Sequence, residues 1–495
     1  MNLPAGGPTD MRRMDDLDPE DWSSLRALGH RMLDDMFDHL AGVRDGPVWQ
    51  PMPPAIRDSW ADPLPRGPGD PAETYAAFRS RVMPHATGNL HPRFMGWVHG
   101  GGTPVGMLAE MLAGGLNANC GGRDHAPIAV ERQVIAWAAE IIGFPQTASG
   151  VLVTGTSMAN MIGVLVARTA ACGTRVRAEG VGGTRLVAYA SAAAHGCVGR
   201  AMDMAGLGSD ALRLIPTDAA GRIVAPALRA AIARDRAAGD RPFLLVGTAG
   251  SVDIGAIDPL DRLADVARES GIWLHVDAAF GAMAMLSPRL RPLLAGLERA
   301  DSVAFDFHKW GQVPYDAGCI LVREAEHQLA AFAADAAYLR RATRGLAAGE
   351  VWPNDLGPDL SRGFRALKVW MTLRTYGADR IGAMVERSCA LAQEMAARID
   401  AEPALERLAP VALNVVCFRF VAADDELDAL NAAIVADLQE SGLAVPSTTM
   451  IGGRLAIRAA LVNHRTRRDD VMRVIDAVLS MGRARAANGR RDNAA

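Results

Sequence analysis

Apolar residues along this chain follow two different spacings. Trp22, Leu25, Leu28, Met32, Met36 and Leu40 recur at three- and four-residue steps, which predicts an amphipathic helix. Asp18-Pro19 ahead of it reads as an N-cap followed by proline at the first helical position. From about residue 86 the pattern becomes short apolar runs alternating with helical stretches. The runs at 151–154, 185–189, 212–215, 243–247, 272–276, 302–305 and 318–322 are mostly continuous and bounded by Gly, Asp or Pro. Strands buried on both faces look like this. Helical stretches such as 157–172, 224–238 and 259–270 separate several of them. The alternation predicts an α/β domain with a mostly parallel sheet.

The flanks read differently. Residues 46–71 carry eight prolines and predict an irregular connector. After the α/β region, 361–395 reads as one long helix, followed by a strand at 413–421, a helix at 425–441, a strand at 451–461 and a helix at 467–481. The expected organisation is a helical arm (1–85) with little core of its own, packed on a second subunit, then a large α/β domain (86–370). A small α+β domain (371–482) and a polar, basic tail (483–495) expected to be disordered complete the chain.

Composition removes several function classes. Hydrophobic residues at 49% and charged residues at 22% argue against disorder. A net charge of −4 gives no electrostatic footprint for nucleic acid. No stretch of about 18 apolar residues lacks charges, so no membrane helix is expected, and the acidic start shows no signal peptide. Six scattered cysteines without a CxxC pair fit reduced cytoplasmic thiols better than disulfides or a metal site. Among 52 Lys+Arg residues only Lys309 and Lys368 are lysines, so a lysine at a chemically poised position is easy to see.

Ligands of such sheets bind beyond the carboxyl ends of the strands. Four polar features stand there. One run ends in Asp277, another leads into His308-Lys309, and a third leads through three alanines to His195. Gly155-Thr156-Ser157 joins a strand to a helix start, where free N–H groups and the dipole favour an anion. Each is weak alone. Together they supply what pyridoxal phosphate needs: a lysine for a Schiff base, an acid beside the pyridine nitrogen and a phosphate cradle.

The stretches HPRFMGW (91–97), GVLVTGTSMAN (150–160), AAAHG (192–196), HVDAAFG (275–281), FHKW (307–310), SRGFRALKVW (361–370) and LNVVCFR (413–419) carry a family likeness. The sequence resembles the group II pyridoxal-phosphate decarboxylases, which act on aromatic amino acids, glutamate or histidine. The resemblance implies fold type I (aspartate-aminotransferase-like), a homodimer and a small-molecule amino-acid substrate. Carried over, Lys309 would hold the cofactor, Asp277 would pair with the ring nitrogen and His195 would stack on the ring and move protons. Thr156 and Ser157 would bind phosphate with His308 nearby, while Thr248 and Ala279 would approach the ring. Lys368 reads as structural.

Two departures bear on the reaction. The family places a tyrosine on a loop after the lysine, and 342–357 contains none; Tyr338 lies too early. The resemblance therefore implies α-decarboxylation to an amine and CO2, with an aldehyde synthase, aldolase or transaminase as the alternative. The substrate-pocket positions Trp97, Val98, His99, Gly100 and Asn119, with Gly121 and then Arg123-Asp124-His125, are mostly smaller or more polar than in aromatic-amino-acid decarboxylases. They do not establish an aromatic substrate and leave room for a polar or acidic one.

Overall fold

The seven apolar runs become seven strands of one sheet: β1 (Ser149–Val153), β2 (Leu186–Ser191), β3 (Leu212–Ile215), β4 (Arg241–Thr248), β5 (Trp273–Asp277), β6 (Ser302–Asp306) and β7 (Gly318–Val322). Their order is β1-β7-β6-β5-β4-β2-β3. The pairs β2–β3, β2–β4, β4–β5 and β5–β6 are parallel, while β7 runs antiparallel to both β1 and β6. Strands β2, β6 and β7 are buried along their whole length, as expected where both faces are covered. The computed structural model describes residues 17–333, 341–349, 351–422 and 426–492, so Tyr338 lies outside the described residues. Among the described residues, 17–46 and 50–87 form one compact unit; 47–49 and those from 88 onward form another, which contains both sheets.

Five expectations need correction. The first helix starts at Trp22 and is capped by Asp21, not Asp18, because Asp21 Oδ1 accepts the Ser23 and Ser24 amides at 2.9 and 3.2 Å. The connector contains a short helix, Pro54–Asp58. The long helix expected over 361–395 is two, Ala366–Tyr376 and Ala378–Asp400, broken at Gly377, whose φ of 77° L side chains rarely adopt. The strand expected at 451–461 begins three residues later, as β11 (Arg454–Ala460), and pairs in a hairpin with an unexpected strand, β10 (Ser447–Ile451). Gly452 and Gly453 turn it with φ of 56° and 76°, the pair of positive values a two-residue hairpin turn requires. With β8 (Leu405–Arg407) and β9 (Val415–Phe420) it forms an antiparallel sheet ordered β10-β11-β9-β8. Finally, the last helix runs Arg468–Asp492 through residues expected to be disordered. Arginine and alanine propagate helices well, and Arg485 makes two bonds of 2.6 and 2.7 Å to Asp437.

One buried charge pair ties β1 to the segment after the loop. Arg362, in the SRGFRALKVW motif, bonds both oxygens of Glu131 and the carbonyls of Cys120 and Leu152. Both side chains are almost fully buried. Arg362→Ala strands the Glu131 carboxylate, so we expect a loss of about 3–5 kcal/mol in urea unfolding. A loss below 1 kcal/mol would contradict this account of the pair.

Candidate active site

Each predicted group leaves the carboxyl end of a strand. Thr248 and Asp277 are register partners at the ends of β4 and β5, and Ala304 of β6 pairs with Asp277 on its other side. His308 and Lys309 follow β6, His195 follows β2, and Thr156 begins the helix Thr156–Cys172 just after β1. These ends converge on a cavity of about 360 Å³. Of the expected residues, Lys309, His195, Asp277, Thr156, Ser157, Thr248, Ala279, His308, Trp97, Val98 and His99 all line it.

Gly100 and Asn119 do not. A Cβ on Gly100 would meet the carbonyl oxygens of His308 and Lys309 at 2.4 Å, so this glycine permits close packing behind the lysine. Asn119 Oδ1 accepts the amides of Gly121 and Arg362, fixing a loop. The Arg123-Asp124-His125 run is likewise used elsewhere: Arg123 lies over the Trp352 ring at 4.8 Å, and the Asp124 amide bonds Leu346 O. Lys368 is buried and paired with Glu110 at 2.5 Å.

Asp306 was not singled out from the sequence, although it lies three residues before the lysine. Its Oδ2 is 2.9 Å from Lys309 Nζ, and its Oδ1 accepts the Thr156 amide at 2.7 Å, so one carboxylate ties the amine to the helix start. Burial pushes the Asp277 carboxyl up, while the Lys309 charge and hydrogen bonds from Asn160 Nδ2 (2.9 Å) and the Ala279 amide (3.1 Å) oppose it. His195 Nδ1 accepts the Cys197 amide at 3.2 Å, which leaves Nε2 to carry the proton of the neutral ring. His308 Nδ1 accepts the Ala317 amide at 2.9 Å. Tyr315, also unforeseen, lines the cavity with its ring 4.2 Å from that of His308 and 5.8 Å from that of His99.

Residues 64–421 match the pyridoxal-dependent decarboxylase conserved domain. The chain belongs to this family. It is a carboxy-lyase that uses pyridoxal phosphate. It is 31% identical over 463 residues to an aromatic-L-amino-acid decarboxylase of Bacillus atrophaeus, covering 91% of this chain and 94% of that protein. Identity is 33% over 423 residues to an L-2,4-diaminobutyrate decarboxylase of Rhizobium meliloti (84% and 83%). A phenylacetaldehyde synthase of Arabidopsis thaliana is 28% identical over 460 residues (90% and 93%). The fold agrees: a crystal structure of Oryza sativa TDC with PLP and tryptamine superposes with a TM-score of 0.88 at 26% identity, covering 95% of this chain and 100% of that one. This decarboxylase has donors to spare for the cofactor. Thr156 Oγ1 and Thr248 Oγ1 are buried with no hydrogen-bond partner among the described residues, and both residues line the cavity that Lys309 and Asp277 share. Two open hydroxyls, an amine and an acid fit pyridoxal phosphate.

Burial holds three histidines neutral: His275 down to about 3, and His308 and His464 to about 4. In the unfolded chain each would protonate near 6.5. The folded state thus binds fewer protons, and stability present above pH 6.5 is lost as pH falls toward 4, at about 1.4 kcal/mol per pH unit for each histidine. Asp258, raised by burial to about 6, acts oppositely between 3.8 and 6, and burial raises Asp277 and Asp301 in the same direction; His99, also lowered by burial, adds to the other three histidines and keeps the balance on their side. Thermal melts should show Tm falling steadily from pH 6.5 to 4. A flat or rising Tm would count against these neutral histidines.

Proposed function

We propose that this chain removes the α-carboxylate of an L-amino acid, releasing CO2 and the amine, with Lys309 as the residue that carries the cofactor. One juxtaposition supports the reading: the Lys309 amine, the Asp277 carboxylate and two unpartnered threonine hydroxyls open on a single cavity. Bound pyridoxal phosphate supplies an electron sink for the pair left on Cα when the carboxylate departs. Lys309 Nζ, which pairs with Asp306 in this structure, would hold the cofactor. Asp277 would favour a proton on the ring nitrogen, Thr156 and Ser157 would take the phosphate at the helix start with His308 nearby, and Thr248 and Ala279 would approach the ring. His195, with Nδ1 occupied by the Cys197 amide, would stack on the ring and hold a proton at Nε2.

The reaction needs a proton returned to Cα. Tyr315 is the phenol on the cavity, and desolvation together with Asp306 pushes its hydroxyl well above the ordinary value, so it keeps its proton. Tyr315→Phe should lower kcat for amine formation about 10²-fold with little change in KM. An unaltered kcat would assign the proton to another group.

The lining also bears on the substrate. Trp97, His99, Phe280 and Tyr315 present rings to the cavity, and no arginine lines it among the described residues. That favours an aromatic side chain over the acidic one for which the sequence left room, because an acidic group lacks a bidentate cationic partner. A panel of amino acids followed by CO2 release tests this: aromatic substrates should exceed glutamate and aspartate at least tenfold in kcat/KM, and the reverse order would overturn it. Two observations favour a second reading, aldehyde formation with uptake of O2 and release of ammonia and peroxide: no tyrosine occurs at 342–357, and the chain is similar to a phenylacetaldehyde synthase.

Exposed Trp22 and Leu25 on the first helix, and exposed Met111, Leu112 and Leu116 on the helix Pro104–Leu116, support a homodimer. All six cysteines are free, in keeping with a reducing, cytoplasmic setting. Among the described residues no helix is long and apolar enough to cross a membrane.

A further inference from the structure

Behind Asp277 runs a chain of buried polar groups that the proposed chemistry does not use directly. Trp273 Nε1 donates to Ser302 Oγ at 2.8 Å, and Ser302 Oγ lies 2.8 Å from His275 Nδ1. His275 Nε2 lies 2.7 Å from Asn160 Oδ1, and Asn160 Nδ2 donates to Asp277 Oδ2 at 2.9 Å. Ser302, His275 and Asn160 are essentially inaccessible to solvent. The imidazole is also gripped from the helix side: a Cβ on Gly163 would meet its Cε1 at 2.7 Å. Thr156, Asn160 and Gly163 are successive turns of one helix, which joins the phosphate cradle to this chain of bonds.

Only one hydrogen pattern satisfies every link when Asp277 is ionised. An indole N–H can only donate. Ser302 Oγ accepts from it and gives its own hydrogen to His275 Nδ1. A neutral imidazole with its proton on Nε2 then donates to Asn160 Oδ1. The amide nitrogen is left facing Asp277 Oδ2, and a carboxylate accepts that N–H more strongly than a carboxylic acid would. Burial favours the neutral imidazole that this requires. Protonating Asp277 at Oδ2 would set an O–H against the Asn160 N–H, so that end of the network would have to reorganise, whereas the ionised form fits it as it stands.

We propose that Trp273, Ser302, His275 and Asn160 form a polarised relay whose role is to hold Asp277 as an oriented carboxylate and so keep the cofactor's ring nitrogen protonated. The four are positioning residues, and the inference rests on the assignment of Asp277 to that nitrogen. It adds to that assignment a reason why a carboxylate so deeply buried stays charged.

The test loads the purified protein with pyridoxal phosphate labelled with 15N in the ring and reads the nitrogen's chemical shift and the cofactor Kd. Wild type should sit at the protonated shift, and Asp277→Asn should define the unprotonated end. Asn160→Leu should move at least a third of the way toward that end and raise Kd about tenfold. His275→Leu should do the same, whereas His275→Gln, which keeps a donor toward Asn160, should stay near wild type. Trp273→Phe, at the partly exposed far end, should shift the signal in the same direction by less; it carries the comparison if the Asn160 or His275 variants fail to fold. Variants that fold and bind with the wild-type shift, while Asp277→Asn moves, overturn the relay. A wild-type shift already equal to that of Asp277→Asn sinks the assignment of Asp277 instead.

Discussion

Lys309→Ala should abolish CO2 release, by about 10⁴-fold or more, while the protein stays folded. The side chain is the one amine on the cavity, and Lys368, the other lysine, is committed to Glu110. Arginine cannot substitute, since its guanidinium does not lose its proton to become a nucleophile. The lost contact is the ion pair with Asp306, which keeps its bond from the Thr156 amide, so the stability cost should be about 1–3 kcal/mol. Two measurements separate the effects: the visible band of the lysine-bound cofactor should vanish, and circular dichroism should be unchanged. Activity within tenfold of wild type would remove Lys309 from its role.

Asp277→Asn should lower kcat about 10³-fold with the cofactor still bound, though more weakly. The substitution keeps size and removes charge. In the wild type, desolvation pushes the carboxyl toward protonation, and Lys309 and the two donors Asn160 and Ala279 resist it. An amide there offers the ring nitrogen no charge to pair with its proton, so electrons from Cα have a poorer sink. Steady-state kinetics on Asp277→Asn should show the loss in kcat rather than KM. A variant within fivefold of wild type would mean the ring nitrogen does not depend on this carboxylate.

Much of the site was legible because its residues stand at strand ends, where local pattern and chemistry coincide. Asp277, Lys309, His308 and Thr156 each follow a short apolar run, so locating the strands located them. The large sheet was legible for the same reason: buried strands need unbroken apolar runs, and this chain has seven. What escaped depends on distance across the fold. Asp306 matters because it reaches a helix start 150 residues earlier, and Asn160 because it meets Asp277 and His275 from another element. No periodicity carries such contacts. Asn119 and Arg123 show the converse, polar residues near a motif that are spent on loop structure and on the Trp352 ring. In the C-terminal region, glycines decided the outcome: Gly377 split a helix, and Gly452-Gly453 turned the expected strand back on β10, which no pattern had indicated.

The central claim is the fate of the substrate after the carboxylate leaves, and a product balance tests it most directly. The holoprotein is incubated in air with its best amino-acid substrate, and CO2, amine, aldehyde, ammonia and peroxide are measured together. Decarboxylation ending in protonation at Cα predicts one amine for each CO2, with no peroxide. Aldehyde, ammonia and peroxide formed in step with CO2 would contradict it.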